Sequence, residues 1–205
     1  MKKIPLILII GLLIIISSLI YPVVNGYSST QNFNYKKIIN NKFHLTSKIY
    51  TLNLKPGDIV WRWSYIPLIT HCMLFVGINE DNKYAFIEAN SMENVWMPEY
   101  DIDWVNSELF DLVARVNTTP TKIDGALEFA KEQVGKKFEY IHEKEFNPDT
   151  EYWYCTELIW ASFYSQGVDI DYNEWEDNFY FNYPVIMPFE IYFDDDVDVY
   201  KLFNT

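Results

Sequence analysis

Attack on a carbonyl at neutral pH needs a nucleophile and a base, and this chain of 205 residues holds few side chains suited to the work: two Cys and three His. Cys155 stands in Tyr152-Trp153-Tyr154-Cys155-Thr156-Glu157, directly where a helical apolar pattern begins. A thiol at a helix N-terminus faces unpaired N–H groups and the positive end of the dipole, which favours its anion. Such placement lowers a thiol pKa from about 8.5 towards roughly 3.5–7.5. The same N–H groups can hold the oxyanion of a tetrahedral intermediate. The plain alternative is an inert, buried helix cysteine, since free Cys is among the most buried residue types.

His71 opens the apolar run His71-Cys72-Met73-Leu74-Phe75-Val76-Gly77-Ile78, and Glu88 lies in the next one, 84–89. Paired so that His71 lies directly opposite Glu88, the two point to one face, with Cβ atoms about 4.5–5.5 Å apart. The carboxylate then holds the imidazole in one tautomer. If the hairpin instead closes symmetrically over 79–83, Ile78 meets Tyr84 and His71 falls opposite Ser91. Glu88 then turns to the other face, because a one-residue slip inverts every side chain. The spacing permits both registers. Cys72 points away from His71, towards the core, and a Cys72–Cys155 disulfide is a further reading.

These residues need a scaffold. Leu54-Lys55-Pro56-Gly57-Asp58 is a turn, followed by a strand over 59–63. Strands are also expected over 70–78, 84–89, 112–116 and 197–203. A helix is expected over 121–134, where Ile123, Ala126, Leu127, Ala130 and Val134 recur at helical spacing, and another over 154–166. The segment 27–50, rich in Ser, Asn, Lys and Tyr, reads as a linker or stalk. The domain is therefore placed at 51–205, an α+β fold with a mainly antiparallel sheet packed with helices.

Formal net charge is −13, and aromatics make up 18% of the chain. The acidic balance excludes a nucleic-acid groove, which needs clustered Lys and Arg, and excludes docking on anionic lipid through a basic patch. At the N-terminus Lys2 and Lys3 precede an apolar run from Ile4 to Val24. Cationic then apolar is the layout of a secretory signal, while a helix of that length reaches roughly 31 Å, enough to span a bilayer. Residues 1–26 thus read as a signal peptide or a membrane anchor. Either way the rest of the chain is expected outside the cytoplasm, secreted or tethered to the membrane by this segment.

Leu54-Lys55-Pro56-Gly57-Asp58-Ile59, His71 leading to Gly77, Phe86-Ile87-Glu88-Ala89 and Tyr154-Cys155-Thr156-Glu157-Leu158-Ile159 follow one another in the order of the YiiX-like group. Pro184-Val185-Ile186-Met187-Pro188-Phe189-Glu190-Ile191 is similar to that group's late Pro-x-(Asp/Glu)-Ile segment. The chain resembles these circularly permuted papain-like hydrolases of the NlpC type over about residues 52–191. The resemblance implies a permuted papain-like fold with Cys155 as nucleophile, His71 as base and Glu88 as third member. Thr156 stands where Ser is more usual there. It implies a cysteine hydrolase, an amidase or peptidase, and the expected location outside the cytoplasm makes cell-envelope peptide the first substrate. A lipid amide or ester hydrolase or acyltransferase is the alternative, and a non-catalytic envelope-binding module is a third reading.

Around this core of three, Tyr154 reads either as a donor near the oxyanion or as packing, with Thr156 beside it in the substrate and oxyanion region. Glu157 complements the helix dipole or shapes the site. A zinc site from His71, Cys72, His142 and Cys155 is disfavoured, because His71 and Cys72 diverge on a strand. No metal and no cofactor are expected. The aromatic stretch 175–183 reads as a cover over the core or a groove wall, and Asp194-Asp195-Asp196 as a solvated turn.

Overall fold

Val60, Met73, Phe75, Phe86 and Val113 gather on one side of a sheet, and Ile59, Trp61, Cys72, Leu74, Ile87 and Ala114 on the other. This is the period-two alternation of strands covered on both faces. The computed structural model describes residues 43–46, 53–62, 71–105, 110–140, 144, 146–172 and 185–202, all within the unit that runs from residue 37 to 205. The segment 1–26, His142 and the aromatic stretch 175–183 lie outside the described residues. Among the described residues no helix is long and apolar enough to cross a membrane.

In chain order the elements are β1 (Phe43–Thr46), β2 (Ile59–Arg62), β3 (His71–Ile78), β4 (Tyr84–Asn90), β5 (Asn94–Trp96), β6 (Glu99–Tyr100), the short helix α1 (Ile102–Val105) and β7 (Phe110–Val116). There follow α2 (Pro120–Glu132), β8 (Lys137–Phe138), β9 (Tyr152–Trp153), α3 (Cys155–Tyr164), α4 (Pro188–Phe193) and β10 (Val197–Leu202). The main sheet runs β1-β10-β7-β2-β3-β4-β5, with β6 also on β4. All its pairings are antiparallel except β1 with β10. The fold is thus α+β with a mainly antiparallel sheet.

Residues 43–46, inside the segment expected to be a linker, belong to the sheet: Phe43 pairs with Val199 and Thr46 with Leu202. Four residues are too few for their alternation to stand out in sequence. What recruits them is the edge of β10, whose backbone groups would otherwise be unpaired.

Thr119 caps α2, its hydroxyl accepting from the Lys122 amide, with Pro120 in the first turn. α3 has no polar side: Thr156 to Phe163 are all buried, because the helix packs on α2 and on β3 and β4. A helix buried all round sits inside the domain rather than on it. Its first residue is therefore held rigidly against the sheet.

The Pro-Gly-Asp turn is a structural lock. Gly57 has φ +90°, and a Cβ there would meet Ile123 Cγ2 at 2.6 Å. Asp58 is fully buried; its carboxylate accepts from Arg115 Nε at 2.8 Å, from Arg115 Nη2 at 2.7 Å and from the Lys55 amide at 2.8 Å. A bidentate guanidinium and a turn amide together satisfy a charge that would otherwise be costly to bury.

Candidate active site

β3 and β4 begin as the symmetric hairpin, with Ile78 opposite Tyr84 and Gly77 opposite Ala85. The register then changes: Phe75 lies opposite Phe86 and Leu74 opposite Ile87, leaving Val76 as an extra residue on β3. This bulge adjoins Gly77, whose φ of +149° few side chains tolerate. One inserted residue inverts the facing of everything beyond it. Continued to the start of β3, the shifted register sets His71 across from Asn90, with Glu88 on the adjacent diagonal and on the same face. Neither sequence register is therefore correct. The direct His71–Glu88 opposition is off by two residues, and the symmetric register holds only up to the bulge.

The imidazole Nε2 of His71 pairs with Glu88 Oε2. Glu88 is itself held on its other oxygen, where Oε1 accepts from Trp96 Nε1 at 2.8 Å and from Asn90 Nδ2 at 3.1 Å. Trp96 stands directly opposite Glu88 in β5. The Asn90 amide is oriented in turn, its Oδ1 accepting from the backbone N–H groups of Met92 at 2.9 Å and Glu93 at 2.8 Å. Sequence reasoning missed both supports. Trp96 lies eight residues from Glu88 and meets it only through the β4–β5 pairing, although the Asn-Ser-Met-Glu turn was a visible signal for Asn90.

Cys155 opens α3 and is only partly buried. It packs against the core cluster that contains Cys72. With Nε2 turned to Glu88, Nδ1 is the nitrogen left to exchange a proton with the thiol. Burial pushes the His71 pKa down, but hydrogen bonds and charge from Cys155 and Glu88 outweigh it and raise the pKa to about 9. Burial also opposes ionisation of Glu88, yet His71, Trp96 and Asn90 hold the carboxyl below its ordinary range. The Cys155 thiol is lowered well below its ordinary value, first by the Cys72 hydrogen bond, and against burial also by His71. The Cys72 thiol moves the other way, pushed up by burial and then by its neighbour. Together these directions favour a thiolate–imidazolium pair backed by a carboxylate.

The residues flanking Cys155 are committed elsewhere. The Tyr154 hydroxyl accepts from the Ile186 amide at 2.9 Å, and Thr156 Oγ1 donates to the Ile186 carbonyl at 2.7 Å. Both backbone polar groups of Ile186 are thereby held, which ties the segment before α4 to the start of α3. The Tyr154 side chain is buried, and burial, with Glu157 nearby, raises its hydroxyl pKa. The Thr156 side chain tethers the same segment. Tyr154 is the N-cap residue of α3 and makes no side-chain capping bond. Glu157 is buried in the first turn.

Cys72 and Cys155 are both free thiols. Among the described residues no group of three or more His, Cys, Asp or Glu is arranged to hold a metal ion. In the late segment the turn Asp194-Asp195-Asp196 is closed by Asp194 Oδ1, which accepts from the Asp196 amide at 2.8 Å. Comparison with known proteins gives no match among family models, curated proteins or solved structures.

Proposed function

We propose that the chain is an exported cysteine hydrolase, an amidase or peptidase, built on a permuted papain-like domain of the YiiX-like kind. One observation carries the reading: the His71 imidazole is paired with the buried Glu88 carboxylate, and its charge acts on the thiol of a cysteine that opens a buried helix. The element order supports it too, since the strand with the base precedes the helix with the nucleophile, as the permutation requires.

In this reading the Cys155 thiolate attacks an amide or ester carbonyl, and the electron pair moves onto oxygen beside the first-turn N–H groups of α3. His71 gives its proton to the leaving group as the tetrahedral species collapses to a thioester. The neutral imidazole, oriented by Glu88, then takes a proton from water, which releases the acid and regenerates the thiol. The apolar run after Lys2 and Lys3 places this chemistry outside the cytoplasm, with the domain secreted or tethered. Cell-envelope peptide is the matching substrate, and a chain of net charge −13 favours cationic or amphipathic peptide over anionic polymer. Lipid amides or esters are the alternative acyl donors, and no nucleic acid is a partner.

The test is iodoacetamide labelling of Cys155, resolved by peptide mass spectrometry, across pH. Cys155 labels well below pH about 8, and His71→Ala moves its profile up towards about 8.5. Turnover of p-nitrophenyl acetate falls on the alkaline side as the imidazolium loses its proton near pH 9, and on the acid side as the thiolate is protonated. An ordinary Cys155 profile in the unaltered chain sinks the hydrolase and leaves an envelope-binding module to be tested.

A further inference from the structure

Hydrogen-bond roles around Glu88 follow from groups that can only donate. Backbone and indole N–H groups are of that kind. The amides of Met92 and Glu93, at 2.9 and 2.8 Å, identify the Asn90 side-chain atom they meet as its oxygen. Asn90 Nδ2 is therefore the end that donates to Glu88 Oε1 at 3.1 Å, and the same oxygen accepts from Trp96 Nε1 at 2.8 Å. Two donors on one oxygen favour the ionised carboxylate, which can then only accept. The other oxygen, Oε2, meets His71 Nε2, so the proton of that bond belongs to the imidazole. Burial of Glu88 opposes its ionisation, but His71, Trp96 and Asn90 outweigh it.

We propose that Trp96 and Asn90 are positioning residues that act through Glu88 to keep the proton of the neutral imidazole on Nε2, leaving Nδ1 as the base for deacylation. The inference deepens the hydrolase reading and rests on it. Acylation begins from an imidazolium with both nitrogens protonated, so there is no tautomer to select. Passing the Nδ1 proton to the leaving group leaves Nε2–H. That form must persist until Nδ1 takes a proton from water, whose oxygen bonds to the thioester carbon before the Cys155 sulfur leaves as thiolate. A proton moved to Nδ1 would turn the basic nitrogen to Glu88 and stall this step. Trp96 acts from directly opposite Glu88 in β5, and Asn90 from the last residue of β4. The ionisable groups whose charge acts on the Glu88–His71 pair are Cys72 of β3 and Cys155 of α3. Glu99 of β6 pairs at the far end of β4, Lys137 of β8 is exposed beside Glu151, and Glu157 of α3 acts on Tyr154.

The two half-reactions can be read separately. With the full chain in excess over p-nitrophenyl acetate, first-turnover release of p-nitrophenolate reads acylation, and loss of the acetyl mass from the chain reads deacylation. Trp96→Phe removes the N–H and keeps an aromatic ring. It is expected to slow deacylation about tenfold, the worth of one hydrogen bond to a charged group, and acylation by less than about twofold. Asn90→Ala slows the same step, and on a Glu88→Gln background Trp96→Phe adds less than about twofold. Nitrogen NMR of the unaltered chain above pH about 9, where His71 is neutral, is expected to show Nε2–H, with the signal assigned by its loss in His71→Ala. Thermal unfolding checks the fold, and Asn90→Ala carries the comparison if Trp96→Phe loses it. Equal slowing of both steps, slowing of neither, a full further loss on the Glu88→Gln background, or an Nδ1–H tautomer overturns the positioning role and leaves the hydrolase intact. An ordinary Cys155 labelling profile with no acetyl-enzyme overturns both readings together.

Discussion

Two carboxylates on this sheet are buried against cations, and they serve different ends. Asp58 is closed: Arg115 grips both oxygens, and the turn amide of Lys55 adds a third donor. Glu88 is supported as fully, by Trp96 and Asn90 on one oxygen and His71 on the other. Burial and pairing alone do not distinguish a lock from a reactive site. The cation does. Arg stays charged at any pH the protein meets, so the Asp58 pair stores no transferable proton. His71 titrates, and its charge acts on a thiol at a helix start, so the Glu88 pair can set where a proton resides.

Matched substitutions sharpen that contrast. Asp58→Asn strands the Arg115 guanidinium, which cannot shed its charge, and is expected to cost about 3 kcal/mol in denaturant unfolding. The Cys155 labelling profile should stay unchanged; a shift in it would break the division between lock and site. Gly77→Ala forces a side chain into φ +149° beside the bulge and should destabilise by about 2 kcal/mol. If the strand escapes the strain by losing the bulge, Glu88 leaves the His71 face, and Cys155 labelling takes the profile of His71→Ala. The smallest effect belongs to Glu88→Gln. The imidazole can neutralise itself, so stability changes little while the alkaline limb near pH 9 moves down. One lost charge and hydrogen bond correspond to a fall of about one unit. An unmoved limb would mean that Glu88 does not tune His71.

Much of the scaffold was legible because its signals are local. The helix expected over 121–134 is α2 (Pro120–Glu132), and that expected over 154–166 is α3 (Cys155–Tyr164). Strands expected over 59–63, 70–78, 84–89, 112–116 and 197–203 correspond to β2, β3, β4, β7 and β10. The elements that escaped notice are short: β1, β5, β6, β8, β9 and α1, of two to four residues, and α4, of six, too few for a period to establish itself. β8 and β9, for instance, exist because Lys137 and Phe138 meet Tyr152 and Trp153 across a loop. The hydrogen bonds of Tyr154 and Thr156 were hidden for a related reason. Their partner is the backbone of Ile186, some thirty residues on, and nothing local announces that meeting.

By itself the sequence determined which residues are capable of chemistry and which elements carry them. Cys155 begins a helix because an apolar pattern of period 3.6 starts there, and His71 and Glu88 lie on neighbouring strands because a polar loop joins two alternating runs. Tertiary structure decided the facing. A bulge at Val76 brings Glu88 to the His71 side. The packing of α3 on β3 sets Cys155 against the core cluster that holds Cys72. Side-chain facing in a sheet has a period of two, so one residue of slip, set by backbone strain and packing across the whole sheet, outweighs everything the local pattern specifies.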